Sequence, residues 1–268
     1  MSDKIEKFSK NVRRKIIETA YEAGSSSAHI GGALSSVEIV STLFGELMNF
    51  NQINYQDQNR DRFILSKGHA CLVYYCALSE LGIISVEKLK TFEKPESDLL
   101  GHPVKNKQIG IDFSTGSLGM GLSLGVGVAL GCRKKKISNK VYVLVGDGEC
   151  NEGSVWEAAM SAAHYDLNQL TVIIDRNNFQ QTGKSDEIMS YKNLKNIWSS
   201  FGFLALEVNG HNINELTNAF NTTDKKKPKV IIANTIKGKG LSFMENDNNW
   251  HHSILTSKLY EKAMEELK

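Results

Sequence analysis

An α/β fold is predicted, with a mostly parallel sheet and helices on both of its faces, and three observations carry the prediction. Continuous apolar, β-branched runs occur at 141–145, 170–174 and 229–233, with a weaker one at 204–208. Such runs suit strands buried on both faces. Stretches of helical periodicity separate them, which is the alternation that builds parallel sheets. The three prolines (Pro95, Pro103, Pro228) all fall in segments that read as loops. With 268 residues, 41% of them apolar, the chain is long enough for a sizeable core. One domain spanning 1–268 is expected.

In order, residues 4–23 carry a helical stripe of Ile5, Phe8, Val12, Ile16 and Ala20. Ser35 or Ser36 is placed to cap a helix running to about Met48. Residues 62–66 read as a short strand, 70–81 as a helix and 84–113 as mainly loop. The glycine-interrupted apolar stretch 118–130 is too short and too broken to span a membrane. It reads as a helix whose glycines let another backbone approach. Helices are expected near 152–165, 188–201 and 212–220 between the strands, and over 253–267 at the end.

A formal net charge of +2 gives no sign of nucleic-acid or membrane binding. The basic runs 133–136 and 225–227 sit at expected element ends and read as solvated turns. Cys71, Cys76, Cys132 and Cys150 show no CxxC pair or metal-ligand spacing, and read as reduced thiols. No secretory pattern follows Met1, so a cytoplasmic protein is expected.

Two groups stand at strand carboxyl ends, where open α/β sheets bind ligands. Asp147 follows the strand 141–145 within Gly146-Asp147-Gly148, and Asn177 follows the strand 170–174 within Asn177-Asn178. If these strands are neighbours, the two side chains meet. A carboxylate, an amide oxygen and a nearby loop carbonyl would suit Mg2+, with phosphate oxygens completing its octahedron. Gly146 and Gly148 would let the backbone approach a diphosphate. A Gly-Asp-Gly turn alone is common. The pairing with Asn-Asn after 28 intervening residues and a second apolar strand is far more specific.

That pairing resembles the thiamine diphosphate signature, and further motifs make the chain similar to the cofactor-binding half of a transketolase over about residues 10–255. They are Ser27-Ala28-His29-Ile30-Gly31-Gly32, Leu65-Ser66-Lys67-Gly68-His69-Ala70, Gly101-His102-Pro103 and Ser114-Thr115-Gly116-Ser117-Leu118-Gly119. Gly146 to Gly153, Trp156-Glu157-Ala158, Lys237-Gly238-Lys239-Gly240 and Trp250-His251 extend the match. The resemblance implies that His29, His69, His102 and His251 are catalytic, handling the protons of sugar hydroxyls near neutral pH. It implies cofactor contacts at His69, Gly116, Ser117, Leu118, Gly146, Asp147, Gly148, Glu149, Asn177 and His251. Mg2+ would be held by Asp147, Asn177 and the backbone of Phe179, and Glu152 would lie at a subunit interface. The expected reaction moves a two-carbon ketol unit from a ketose phosphate to an aldose phosphate, as in the pentose phosphate pathway, with thiamine diphosphate as electron sink.

Two departures stand out. Ser117 occupies a position that is usually proline in the family, and His29 is followed by Ile-Gly-Gly-Ala rather than a Pro-Gly run. The second leans toward split members of the family. The glutamate that activates the cofactor, and most arginines that hold the sugar phosphate, belong to later domains of full-length enzymes. A separate C-terminal transketolase subunit, in a heterotetramer, is therefore expected to supply them. The alternatives are the alpha subunit of a 2-oxo acid dehydrogenase, which lacks the Ser-Lys-Gly-His and Gly-His-Pro motifs, and 1-deoxyxylulose-5-phosphate synthase, normally undivided. A non-catalytic regulatory subunit is a third. A nucleotide-binding reading of Gly119 to Gly125 fails on spacing and lacks a preceding strand.

Overall fold

The computed structural model describes residues 2–268. Its sheet has five parallel strands, β1 (Arg62–Leu65), β2 (Val141–Gly146), β3 (Leu170–Arg176), β4 (Leu204–Asn209) and β5 (Lys229–Asn234), in the order β1-β2-β3-β5-β4. All four apolar runs are strands, and the short 62–66 segment joins them as an outer strand. The central three are buried almost end to end because helices cover both faces.

Alternation along these strands sorts their side chains into two cores. Tyr142, Leu144, Ile173, Ile231 and Ala233 face the helices Ser2–Glu22 and Cys71–Glu80. Val141, Val143, Val145, Val172, Ile174, Val230 and Ile232 face Met120–Lys134, Gly153–His164 and Trp198. The helix Cys71–Glu80 is buried along nearly its whole length, which explains its lack of a polar face. The helix Met120–Lys134 uses its glycines for close approach. A Cβ on Gly125 would lie 2.5 Å from Val143, and one on Gly121 would overlap Ser66.

Three boundaries differ from expectation. The helix expected near 188–201 is a single helical turn at Ser185–Ile188 and a separate helix at Leu194–Ser200, capped by Asn193. The helix expected from Ser35 or Ser36 is broken into Ile30–Leu34, Val37–Thr42 and a wider π turn at Leu43–Leu47. Neither serine caps it. Both hydroxyls donate to the Gly32 carbonyl and to the buried carboxylate of Asp175 instead. The last helix is Ser257–Glu266, because Ser253 is held in an antiparallel bridge with Ala28 and Thr256 provides the cap. Among the described residues no helix is long and apolar enough to cross a membrane.

Candidate active site

The register pairs Gly146 with Asp175, so β2 and β3 end side by side. Asp147 and Asn177 emerge together from these ends. The Asn178 N–H (2.9 Å) and the Ser185 hydroxyl (3.0 Å) donate to Asp147 Oδ2. The Phe179 N–H donates to Asn177 Oδ1 at 3.1 Å. Asn178 takes the left-handed backbone, φ 65°, that reverses the chain there. A Cβ on Gly148 would lie 2.6 Å from Gln180, so this position needs glycine for the two loops to meet.

Burial, then the neighbouring Asp175 charge, pushes the Asp147 carboxyl up to about 6. A buried carboxylate facing another suits a bound cation, whose charge would offset its desolvation. No three His, Cys, Asp or Glu side chains converge as a metal cluster among the described residues. The available set is thus one carboxylate with amide and carbonyl oxygens, which fits a hard ion sharing ligands with a phosphate.

Beneath this pair lies a group that the sequence did not single out. Lys67 and Asp175, 1% and 0% exposed, form a buried ion pair. Lys67 also donates to the Gly32 carbonyl at 3.0 Å. Ser35 (2.6 Å) and Ser36 (3.2 Å) donate to Asp175 Oδ2, and Thr235 donates to Oδ1. Burial alone would raise the Asp175 carboxyl, but the Lys67 charge and these donors hold it below its usual range. Asn177 Nδ2 donates to the same Oδ2 at 3.1 Å, so the ion pair orients the Asn177 amide.

Glu149, also expected at the cofactor, is held by donors from three segments. It is 2% exposed, and Ser66, the Gly119 N–H and the Gly146 N–H donate to its carboxylate. It therefore ties together the ends of β1 and β2 and the start of the 120–134 helix. Gly116, at φ 136°, lies against His102, and a Cβ there would come within 2.8 Å of the ring. Ser117 and Leu118 are exposed on the same rim, and Glu152 is exposed at the start of helix Gly153–His164.

The four predicted histidines converge from four separate segments. The His29 ring lies 5.6 Å from His69, 5.6 Å from His102 and 5.4 Å from His251, and His69 lies 5.4 Å from His251. His252, which sequence reading passed over, is 4.3 Å from His29. Its one signal is adjacency to His251. Burial, then neighbouring histidines, lowers His29 to about 3. Burial, then Lys237, lowers His251 to about 4, and burial lowers His69 and His102 as well. All four are thus neutral at physiological pH, each with one ring nitrogen to donate a hydrogen bond and one to accept. Lys237 donates to His251 Nδ1 (3.0 Å) and Asn248 Oδ1 (2.6 Å), which leaves the proton on His251 Nε2. Its ammonium also lies 5.6 Å from the Phe179 ring, joining the histidines to the Asp147–Asn177 loops.

Residues 7–267 match the family model described as transketolase, thiamine diphosphate binding domain. The chain belongs to the transketolase family. It is 40% identical to an apulose-4-phosphate transketolase subunit of Phocaeicola vulgatus, over 98% of this chain and 93% of that one. It is 38% identical to 6-deoxy-6-sulfo-D-fructose transketolase subunit SqwG of a Clostridium species, over 96% and 94%. Against human transketolase it is 36% identical over 95% of this chain and 41% of the longer one. The transketolase structure from Campylobacter jejuni superposes with a TM-score of 0.86 at 30% identity, covering 98% of this chain and 42% of that one. This transketolase chain thus matches the relatives named as separate subunits nearly end to end and spans about two fifths of the undivided enzymes.

Proposed function

We propose that the chain is the N-terminal subunit of a split transketolase. It binds thiamine diphosphate and Mg2+ as one domain. With a separate C-terminal subunit, in a heterotetramer, it transfers a two-carbon ketol unit from a ketose phosphate to an aldose phosphate. The observation that carries this reading is the convergence of four neutral imidazoles beside the Asp147–Asn177 loops. The relatives of matching length, named as transketolase subunits, support a separate partner. Their names differ in substrate, and a pentose phosphate pathway role is one of several sugar pairs open to the site. Four buried free thiols accord with a cytoplasmic setting.

When bound, thiamine diphosphate supplies the electron sink that makes cleavage beside a ketose carbonyl feasible. The chain's own groups bind and orient. Asp147, Asn177 and the Phe179 carbonyl would hold the ion, and Gly146 and Gly148 the diphosphate backbone contacts. Gly116, Ser117 and Leu118 would meet the cofactor's ring system. His29, His69, His102 and His251 donate and accept hydrogen bonds at sugar hydroxyls. His251, with its proton fixed on Nε2, is set to act first as donor.

The test is calorimetric titration of thiamine diphosphate with Mg2+ or with chelator, followed by a ketol-transfer assay with the C-terminal subunit. Asp147→Ala should weaken Mg2+-dependent binding by about 100-fold or more, above the range typical of groups that only orient ligands. Binding indifferent to chelator would remove the metal from the proposal. Full transfer activity by this chain alone would remove the partner.

A further inference from the structure

Two residues in left-handed backbone, Ser27 (φ 58°) and Glu93 (φ 56°), line one cavity of about 410 Å3 that opens beside the histidines. His29, His102, Thr115 and His252 share its wall, and no lysine or arginine lines it. For a glutamate such backbone is strained by about 1 kcal/mol or more, and it persists only where the surroundings impose it. They do so here. The Glu93 N–H donates to the Leu99 carbonyl at 3.0 Å, and the Ser26 hydroxyl donates to the Glu93 carbonyl at 3.2 Å. The Gly101 N–H donates to Glu93 Oε1.

This geometry presents the carboxylate at the wall of the pocket, next to Gly101 and His102. Bracing Gly101 accounts for Oε1 alone. Among the described residues Oε2 has no hydrogen-bond donor, and Glu93 forms no ion pair. The charge reaches the site nonetheless, since it counters the downward pull of burial on His102. An unpaired carboxylate in a cavity with no lysine or arginine in its wall is a poor host for a phosphate or sulfonate. It is a good acceptor for the hydroxyls of a neutral polyol segment.

We infer that Glu93 is a specificity-determining residue: its free oxygen accepts hydroxyls of the sugar chain, and its charge keeps anionic groups out of this cavity. The inference rests on the transketolase reading above. It assigns the neutral stretch of the sugar to this chain's pocket and sends the anionic end elsewhere.

The experiment compares Glu93→Gln and Glu93→Gly in the complex with the C-terminal subunit. Glutamine keeps an acceptor for Gly101 and removes the charge. Glycine adopts φ 56° without strain and removes the side chain. With xylulose 5-phosphate and ribose 5-phosphate, both variants should raise KM by about tenfold or more while kcat changes much less, as expected for a lost charged hydrogen bond in binding. Glyoxylate, a small anionic acceptor, should be used several-fold better by both. Thiamine diphosphate affinity should stay at the unsubstituted level. Unchanged KM for the sugars together with unchanged use of glyoxylate would overturn the inference. So would losses that merely follow lost cofactor affinity, which would mark Glu93 as structural. Absence of ketol transfer by the unsubstituted complex across a panel of ketose and aldose phosphates is a separate result: it defeats the parent reading, and this inference with it.

Discussion

Lys67 and Lys229 are both buried lysines, at opposite poles of the sheet, and they end in opposite employments. Lys229 opens β5 at the amino pole. Its ammonium donates to the carbonyls of Ala219 (3.0 Å), Phe220 (2.6 Å) and Thr222 (2.8 Å), completing the end of helix Ile213–Asn221. Arg133 does the same for the carbonyls of Tyr165 and Asp166. Burial, then Lys140, lowers Lys229 to about 8. These residues line a cleft of about 840 Å3 with Lys136, Lys140, Lys225 and Lys227, roomier than the histidine pocket and rich in cations. Two of its six cations are already committed to helix ends. At the carboxyl pole Lys67 meets Asp175 instead, and Asp175 orients Asn177. Neither cavity size nor charge density marks the site. What marks the proposed site is a buried charge network that ends in the Asn177 amide at the strand carboxyl ends.

The sharpest way to break this contrast is Lys67→Met. It leaves Asp175 buried without its counterion and should destabilise the fold by about 3–5 kcal/mol. That lowers the melting temperature by roughly 10 °C for a chain of this size. Thiamine diphosphate affinity should fall as well, because Asn177 loses its anchor. Lys229→Met strands three carbonyls and should cost about 1–3 kcal/mol, read from urea unfolding, with cofactor affinity untouched. Equal damage to cofactor binding from both variants would show that the two poles are not functionally distinct.

The smallest effect is in pH. His29 and His251 are held at about 3 and about 4 in the fold, below the usual 6.5. As pH falls below 6.5 the unfolded chain takes up protons that the folded chain refuses, so stability drops until about pH 3–4. Asp147, raised from 3.8 to about 6, runs the other way: the folded chain gains stability as pH falls from 6 to 3.8. The histidines outnumber it, so the cofactor-free protein should lose stability between pH 6.5 and 4. His29→Asn should flatten that loss by roughly 1–2 kcal/mol, with partial exposure discounted. Asp147→Asn should steepen it while raising stability at pH 7. Urea melts from pH 4 to 8 would read all three slopes, and a flat profile for the unsubstituted chain would contradict the buried, neutral state of the cluster.

Much of this was legible in the residues. Strand runs such as 141–145 announce themselves because a strand buried on both faces has no polar positions to confuse the pattern. The four histidines and the Gly-Asp-Gly and Asn-Asn steps are local words with a fixed place in the family. The Lys67–Asp175 pair was not legible, because its partners lie 108 residues apart and meet only when β1, β2 and β3 align. Ser35 and Ser36 misled for the same reason. They look like helix caps, and a buried carboxylate from a distant strand claims their hydroxyls. Glu149 sits inside a cofactor motif, and its bracing contacts were not legible because Ser66 and Gly119 arrive beside it from distant segments. His252 was hidden by the plainer match of its neighbour.

The left-handed residues also set terms for engineering. Lys136 (φ 56°) and Asp166 (φ 47°) close the helices Met120–Lys134 and Gly153–His164, with Ile137 and Leu167 bonding back to Cys132 and Ala162. Glycine is the natural occupant of such a closing position. Exchanges there should harden the protein against heat without reaching the pocket. The same exchange at Ser27 or Glu93 would relieve the same strain and erase what the strain presents. A search for hardier variants of this chain therefore has a boundary drawn in its backbone angles: relax the helix ends, and leave the pocket under tension.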